Sequence, residues 1–173
     1  MINTIRSILY FTALILLQVL VLNNIHFLRL VTPLLYIYFI IKLPLGYTPI
    51  RLTFLSFLAG ITIDILSNTS GMHAAACTLA GFMRPQIIRL FIREDLPDNM
   101  APSFRSLGSG GFARFVLVFV MLHHFSLFLI ESLTLFDFPF LAIRALSGVL
   151  TTSLLIYLIE VFHKDSKRSD DQY

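Results

Sequence analysis

The stretch SFLAGITIDILSNTSGMHAAACTLAGFMR, Ser56 to Arg84, reads as two apolar helices joined by a short polar turn, with Asp64 just before the turn and His73 just after it. A helical hairpin turning near Asn68 and Thr69 brings acid and histidine to about the same depth. A charge in hydrocarbon costs about 2.5 to 3.5 kcal/mol or more unless it is paired or hydrated, so Asp64 is a candidate functional residue. The structural alternative is that its carboxylate accepts hydrogen bonds from His73, Asn68 or the turn backbone and locks the hairpin. Small residues four apart, Ala76 with Ala80 and Cys77 with Gly81, let helix backbones approach closely in a membrane, which makes this hairpin the tightly packed centre.

The rest of the chain agrees with that reading. Its 173 residues are 57% hydrophobic and 13% charged, with a mean hydropathy of +0.82, where a soluble domain carries about 25% charged residues. The long apolar runs do not alternate, so they suit helices rather than barrel strands. The expectation is an all-α integral membrane protein: six transmembrane helices in one bundle over residues 1–162, at about 5–22, 32–43, 50–67, 72–92, 112–133 and 139–162, then a polar, disordered tail at 163–173. The first apolar run lacks a small-x-small cleavage signal and reads as a retained helix.

The second helix starts well, with Thr32 as N-cap and Pro33 in the first turn. Its length, about 17 Å, is short for a span. It therefore begins earlier, near Phe27, or is a short segment buried among its neighbours; it is kept here as a span. Tyr36 and Tyr38 read as ordinary packing or interfacial aromatics. Arg84, followed by Pro85, reads as snorkelling to headgroups at the end of the fourth helix. Residues Glu94 to Gly111 read as one long loop.

Glu131 and Arg144 are equidistant from the turn at Asp137 to Pro139, so an antiparallel hairpin sets them opposite each other as an ion pair. Lys and Arg are distributed unevenly. Arg6, Lys42, Arg51, Arg84, Arg89, Arg93, Arg105, Arg114, Lys164, Lys167 and Arg168 fall on one side, and only Arg29 and Arg144 on the other. The positive-inside rule then puts both termini in the cytoplasm, and Asp64, His73, Glu131 and Arg144 near the outer end, where they could form one polar cluster for a partner or ligand.

Catalytic readings are weak. An intramembrane aspartyl protease needs two converging acids, but Asp137 reads as a turn residue and Asp64 stands in GITID without the glycine directly before the acid that such enzymes show. Gly108 to Gly111 (GSGG) has no histidine at a plausible depth. His123, His124 and Glu131 are of metal-ligand type, but adjacent helix positions point about 100° apart. No P-loop, Rossmann or HExxH pattern occurs, and the single Cys77 reads as a packing residue. The chain is therefore expected to be neither an enzyme nor a cofactor or metal carrier. Its net charge of +3 is spread over membrane-flanking positions and implies the lipid bilayer, not nucleic acid.

The hairpin GITIDILSNTSGMHAAACTLAGFMRP, with Gly60, Asp64, Gly71, His73 and Ala74, resembles the G-x-x-x-D…G-x-H-A hairpin of the bacterial rod-shape-determining MreD family. The Thr-Pro-Leu-Leu run at 32–35, the basic end of the fourth helix and the overall length are also similar. Many family members have an acid after the proline that opens the second helix; Leu34 stands there in this chain, and any role of that acid does not carry over. The resemblance implies a non-catalytic inner-membrane subunit of the cell-elongation machinery that supports cell shape and lateral peptidoglycan synthesis. It would bind MreC, and through it MreB, RodZ and RodA with its transpeptidase. It also implies a fold similar to the substrate-binding subunits of energy-coupling-factor vitamin transporters. That supplies the alternative, a small molecule or lipid held near Asp64, His73 and Glu131. Self-association stays open.

Overall fold

The computed structural model describes residues 2–22, 33–92, 96–133 and 138–170, of which 2–10 and 163–170 by backbone alone. These residues form six helices: α1 (Ile2–Leu20), α2 (Ile37–Ile41), α3 (Pro49–Ser67), α4 (Met72–Arg89), α5 (Phe104–Ser132) and α6 (Phe138–Asp170). By length and composition α3, α5 and the Phe138–Phe162 part of α6 are able to cross a membrane. Their outward faces carry bare apolar side chains: Ile50, Phe54 and Ile65 on α3, Phe125 and Leu129 on α5, and Leu146, Leu150, Leu154 and Phe162 on α6. Contiguous apolar surface of this extent does not stay in water on a monomer. The all-helical chain is thus of membrane type.

Successive long helices run antiparallel. Cys77 of α4 and Phe91, just beyond its C-terminal end, meet His123 and Phe115 of α5, and Glu131, His124 and Phe104 of α5 meet Arg144, Thr152 and Tyr157 of α6. The α3–α4 turn, the C-terminal end of α5 and the start of α6 therefore lie at one end, and the loops before α3 and α5 at the other. Those two loops are joined by backbone bonds, Gly46 N–H to Asp98 O at 2.8 Å and Leu45 N–H to Met100 O at 2.9 Å.

Three sequence expectations are corrected. The second helix is not a span over 32–43: in the described residues only Ile37–Ile41 is helical. The stretch from Pro33 to Ile41 is buried apart from the partly covered Phe39, the only setting in which broken helix is tolerated at membrane depth. The fifth helix starts at Phe104 rather than 112, because Ser103 and Ser106 form a reciprocal capping box. It bends at Gly108, whose φ of 68° and ψ of 163° suit glycine alone. The last helix continues to Asp170, through most of the segment expected to be a disordered tail. Residues 1, 23–32, 93–95, 134–137 and 171–173 lie outside the described set, and with them Thr32, Arg29, Arg93 and Asp137.

Candidate functional site

Each residue of the hairpin motif has a local role. Gly71 is the N-cap of α4 with φ of 82° and offers no side chain to the helix start. Asp64 supplies it from the last turn of α3: its Oδ2 accepts the Ala74 N–H at 2.7 Å and its Oδ1 the His73 N–H at 3.2 Å, while the Thr69 hydroxyl also donates to Oδ1. A carboxylate on the free N–H groups of a helix start gains both the hydrogen bonds and the favourable end of the helix dipole. Asn68, with φ of 53°, closes α3 in the left-handed conformation. A Cβ on Gly60 would stand 2.5 Å from the Ala74 Cα and from the His73 carbonyl oxygen, so only glycine lets α3 lie this close to the start of α4. Gly81 does the same lower down, against Ser56 and the Leu52 carbonyl.

The His73 side chain does not turn to Asp64. Its Nδ1 lies 2.8 Å from the Tyr36 hydroxyl, which lies 3.0 Å from Nε2 of His123. Cys77 Sγ is 3.6 Å from the same Nε2, and His123 Nδ1 is buried with no hydrogen-bond partner. The next residue is fully explained. His124 Nδ1 faces the Val120 carbonyl at 3.0 Å, so that nitrogen carries the proton, and its Nε2 accepts from the Thr152 hydroxyl at 3.4 Å. Thr152 in turn accepts the Leu34 N–H at 3.0 Å.

The short α2 segment is the hub of these contacts, because a helix of five residues leaves most of its backbone groups without helical partners. Gln18 of α1 donates to the Pro33 carbonyl at 3.0 Å and accepts the Leu35 N–H at 2.7 Å. At the other end Arg84 donates to the carbonyls of Ile41, at 3.1 Å, and Leu43. Arg84 is 1% exposed, which overturns the snorkelling expected of it: the guanidinium points inward to satisfy carbonyls that no helical N–H reaches. Beyond α2, Lys42 pairs with Glu160 of α6 at 2.9 Å and also donates to the Pro102 carbonyl at 2.9 Å, and the Tyr38 hydroxyl donates to Glu160 at 2.9 Å.

Of the residues singled out from sequence, Glu131 and Arg144 pair at 2.6 Å, with the Arg144 guanidinium over the Phe128 ring at 5.3 Å. Asp64, Gly60, Gly71 and Ala74 meet at the hairpin, whereas the His73 ring belongs to the Tyr36 and His123 chain. Sequence reading passed over Gln18, Thr152 and Glu160, and took Tyr36 and Tyr38 for packing or interfacial aromatics, whereas their hydroxyls bond His73 and His123, and Glu160. Gln18 inside an apolar run, and Thr152 and Glu160 eight residues apart on one face of α6, were the available signals. Among the described residues no three His, Cys, Asp or Glu side chains are grouped to hold a metal. A groove of about 450 Å³ between α3 and α4 is lined by Pro49, Ile50, Thr53, Phe54, Phe57, Thr78 and Phe82, with both threonine hydroxyls bonded to carbonyls of their own helices. No family model, curated protein or solved structure matches the chain.

Proposed function

We propose that the chain is a non-catalytic inner-membrane subunit of the bacterial elongation complex, of the MreD type, that binds MreC and supports cell shape and lateral peptidoglycan synthesis. MreB, RodZ, and RodA with its transpeptidase belong to the wider assembly. In this reading the chain crosses the cytoplasmic membrane six times as one bundle, similar to the substrate subunits of energy-coupling-factor transporters, the second crossing being made by a broken segment that includes the five-residue α2 rather than by a spanning helix. Both termini are cytoplasmic.

The observation that carries the reading is that the carboxylates Asp64 and Glu131 and the backbone around α2 are all engaged within the protein. A transporter uses broken helices to present free helix ends to a solute near the middle of the membrane. Here the backbone leading into α2 is closed by Gln18 and Thr152, which bond residues 33–35, and its C-terminal end by Arg84. Asp64 is engaged by α4, and Glu131 by Arg144. None of Asp64, His73, Glu131 and Arg144 lines the α3–α4 groove. Carboxylates held by protein partners and a broken segment closed by side chains favour a rigid assembly subunit over a solute-binding one.

The test is purification of the tagged protein from native membranes in mild detergent, with mass spectrometry of co-purifying proteins and small molecules. A stoichiometric single-pass protein with a periplasmic coiled coil is the expected result. An ATPase-linked membrane subunit, or a retained vitamin-like ligand, would replace this reading with the transport one.

A further inference from the structure

The groove between α3 and α4 opens at the basic end of the helices, where Pro49 and Ile50 of the first turn of α3 line it. Further in it is lined by Phe54 and Phe57 of α3 and by Phe82 of α4. Its volume of about 450 Å³ lies within the range of about 300–1,000 Å³ of small-molecule sites. The two hydroxyls on its walls are spent on their own helices, Thr53 on the Pro49 carbonyl at 2.8 Å and Thr78 on the Ala74 carbonyl at 2.6 Å. What fills it is therefore hydrocarbon. A transmembrane helix fits it poorly, because helices associate in a membrane through small residues or interhelical hydrogen bonds. The small residues here, Gly60 and Gly81, are already used between α3 and α4 themselves. The groove presents bulky exposed side chains instead, and a flexible chain fills the gaps between them better than a rigid helix does.

The mouth of the groove is positively charged. Arg51 follows Ile50 and stands three residues before Phe54, its neighbour on the surface of α3. Arg89 comes seven residues after Phe82, two turns or about 10 Å further along nearly the same face of α4. Both arginines are exposed, and among the described residues neither is in an ion pair. Of the carboxylates described with their side chains at this end, Glu160 is held by Lys42 and Asp98 lies against Gly46. Arginine lays its stem along apolar surface and keeps its charge at the membrane boundary, the level of a lipid phosphate. We propose that the groove is a binding site for an anionic phospholipid, with one acyl chain between α3 and α4 and the headgroup held at the mouth by Arg51 and Arg89. The site stands independently of the elongation-complex reading.

The chain has no tryptophan, so Phe82→Trp places a single emitter in the groove. The test is its quenching in phosphatidylcholine vesicles that contain, at equal mole fraction, either phosphatidylglycerol or phosphatidylcholine with brominated acyl chains. Leu150→Trp, at an exposed apolar position of α6, reports the ordinary lipid around the protein. The expected result is a preference for phosphatidylglycerol at Phe82→Trp that exceeds the one at Leu150→Trp by about fivefold for each arginine, the measure of one basic residue near an anionic membrane. Adding Arg51→Gln and Arg89→Gln should bring it down to the Leu150→Trp value. Equal preference at the two positions, or a preference that survives loss of both arginines, overturns the proposal. So does a Phe82→Trp emission that neither lipid quenches, which would mean that protein covers the groove. Phe54→Trp, on the opposite wall, takes the place of Phe82→Trp if that variant does not fold.

Discussion

Asp64 is an intramembrane acid whose charge is spent on backbone N–H groups, and this makes its replacement predictable. Asp64→Asn keeps one oxygen for the His73 or Ala74 N–H, whereas Asp64→Ala frees both. Losing a helix cap costs about 0.5–2 kcal/mol, and losing the charge at a helix start about 0.3–1 kcal/mol more. In thermal unfolding of the purified protein, Asn should fall below wild type and Ala below Asn; equal melting of Ala and wild type would show that the cap contributes nothing. Gly60→Ala acts through space alone. Its methyl must displace the backbone at Ala74, which lies 2.5 Å away, at the about 1–3 kcal/mol typical of overpacking. The hairpin was legible in sequence because all its parts lie within one turn: the acid, the left-handed Gly71 and the small residues need no distant partner to be recognised. The direction of the His73 ring was not, since its partner Tyr36 is 37 residues away and a tyrosine in an apolar run looks the same whether it packs or bonds.

The element that most departs from its sequence pattern is α2, and the reason is physical. A span satisfies its own backbone, so the sequence has only to be apolar; a five-residue helix depends on side chains elsewhere, and these are 15, 118 and 43 residues away at Gln18, Thr152 and Arg84. Hydropathy sees none of them. Gln18 is the most diagnostic, because only an amide both donates to Pro33 O and accepts from Leu35 N. Gln18→Leu leaves one buried donor and one buried acceptor without that partner. Intramembrane hydrogen bonds average about 0.6 kcal/mol, so the expected loss is about 1 kcal/mol. Gln18→Glu keeps the acceptor but aims a carboxylate at the Pro33 carbonyl, and should be the worse of the two. Chemical unfolding in detergent micelles followed by circular dichroism ranks the pair; a Glu variant as stable as wild type would mean that α2 is not held by this residue.

At the scale of the molecule the two ends of the helices differ in charge. At the end that holds the loops before α3 and α5, Arg51, Arg89, Arg105 and Arg114 are exposed, and Lys42 and Glu160 pair beneath them. At the end with the α3–α4 turn, the described basic residue is Arg144, already neutralised by Glu131. Unpaired Lys and Arg near helix ends are retained in the cytoplasm, so our proposed orientation puts the α3–α4 turn outside. Ser70 in that turn and Asn99 in the loop before α5 are both exposed, and the single native thiol, Cys77, is buried. With Cys77→Ala as background, a membrane-impermeant maleimide applied to intact spheroplasts should label Ser70→Cys and leave Asn99→Cys untouched until the membrane is opened. The reverse pattern would place the basic end outside and remove the charge argument for orientation. Labelling of both sites in intact spheroplasts would mean that the connection between them does not cross the bilayer. Because α4 carries Arg84 inside and lies outside the set of helices that qualify as spans by length and apolarity, this experiment also decides whether buried arginine and small residues suffice to make a fourth crossing.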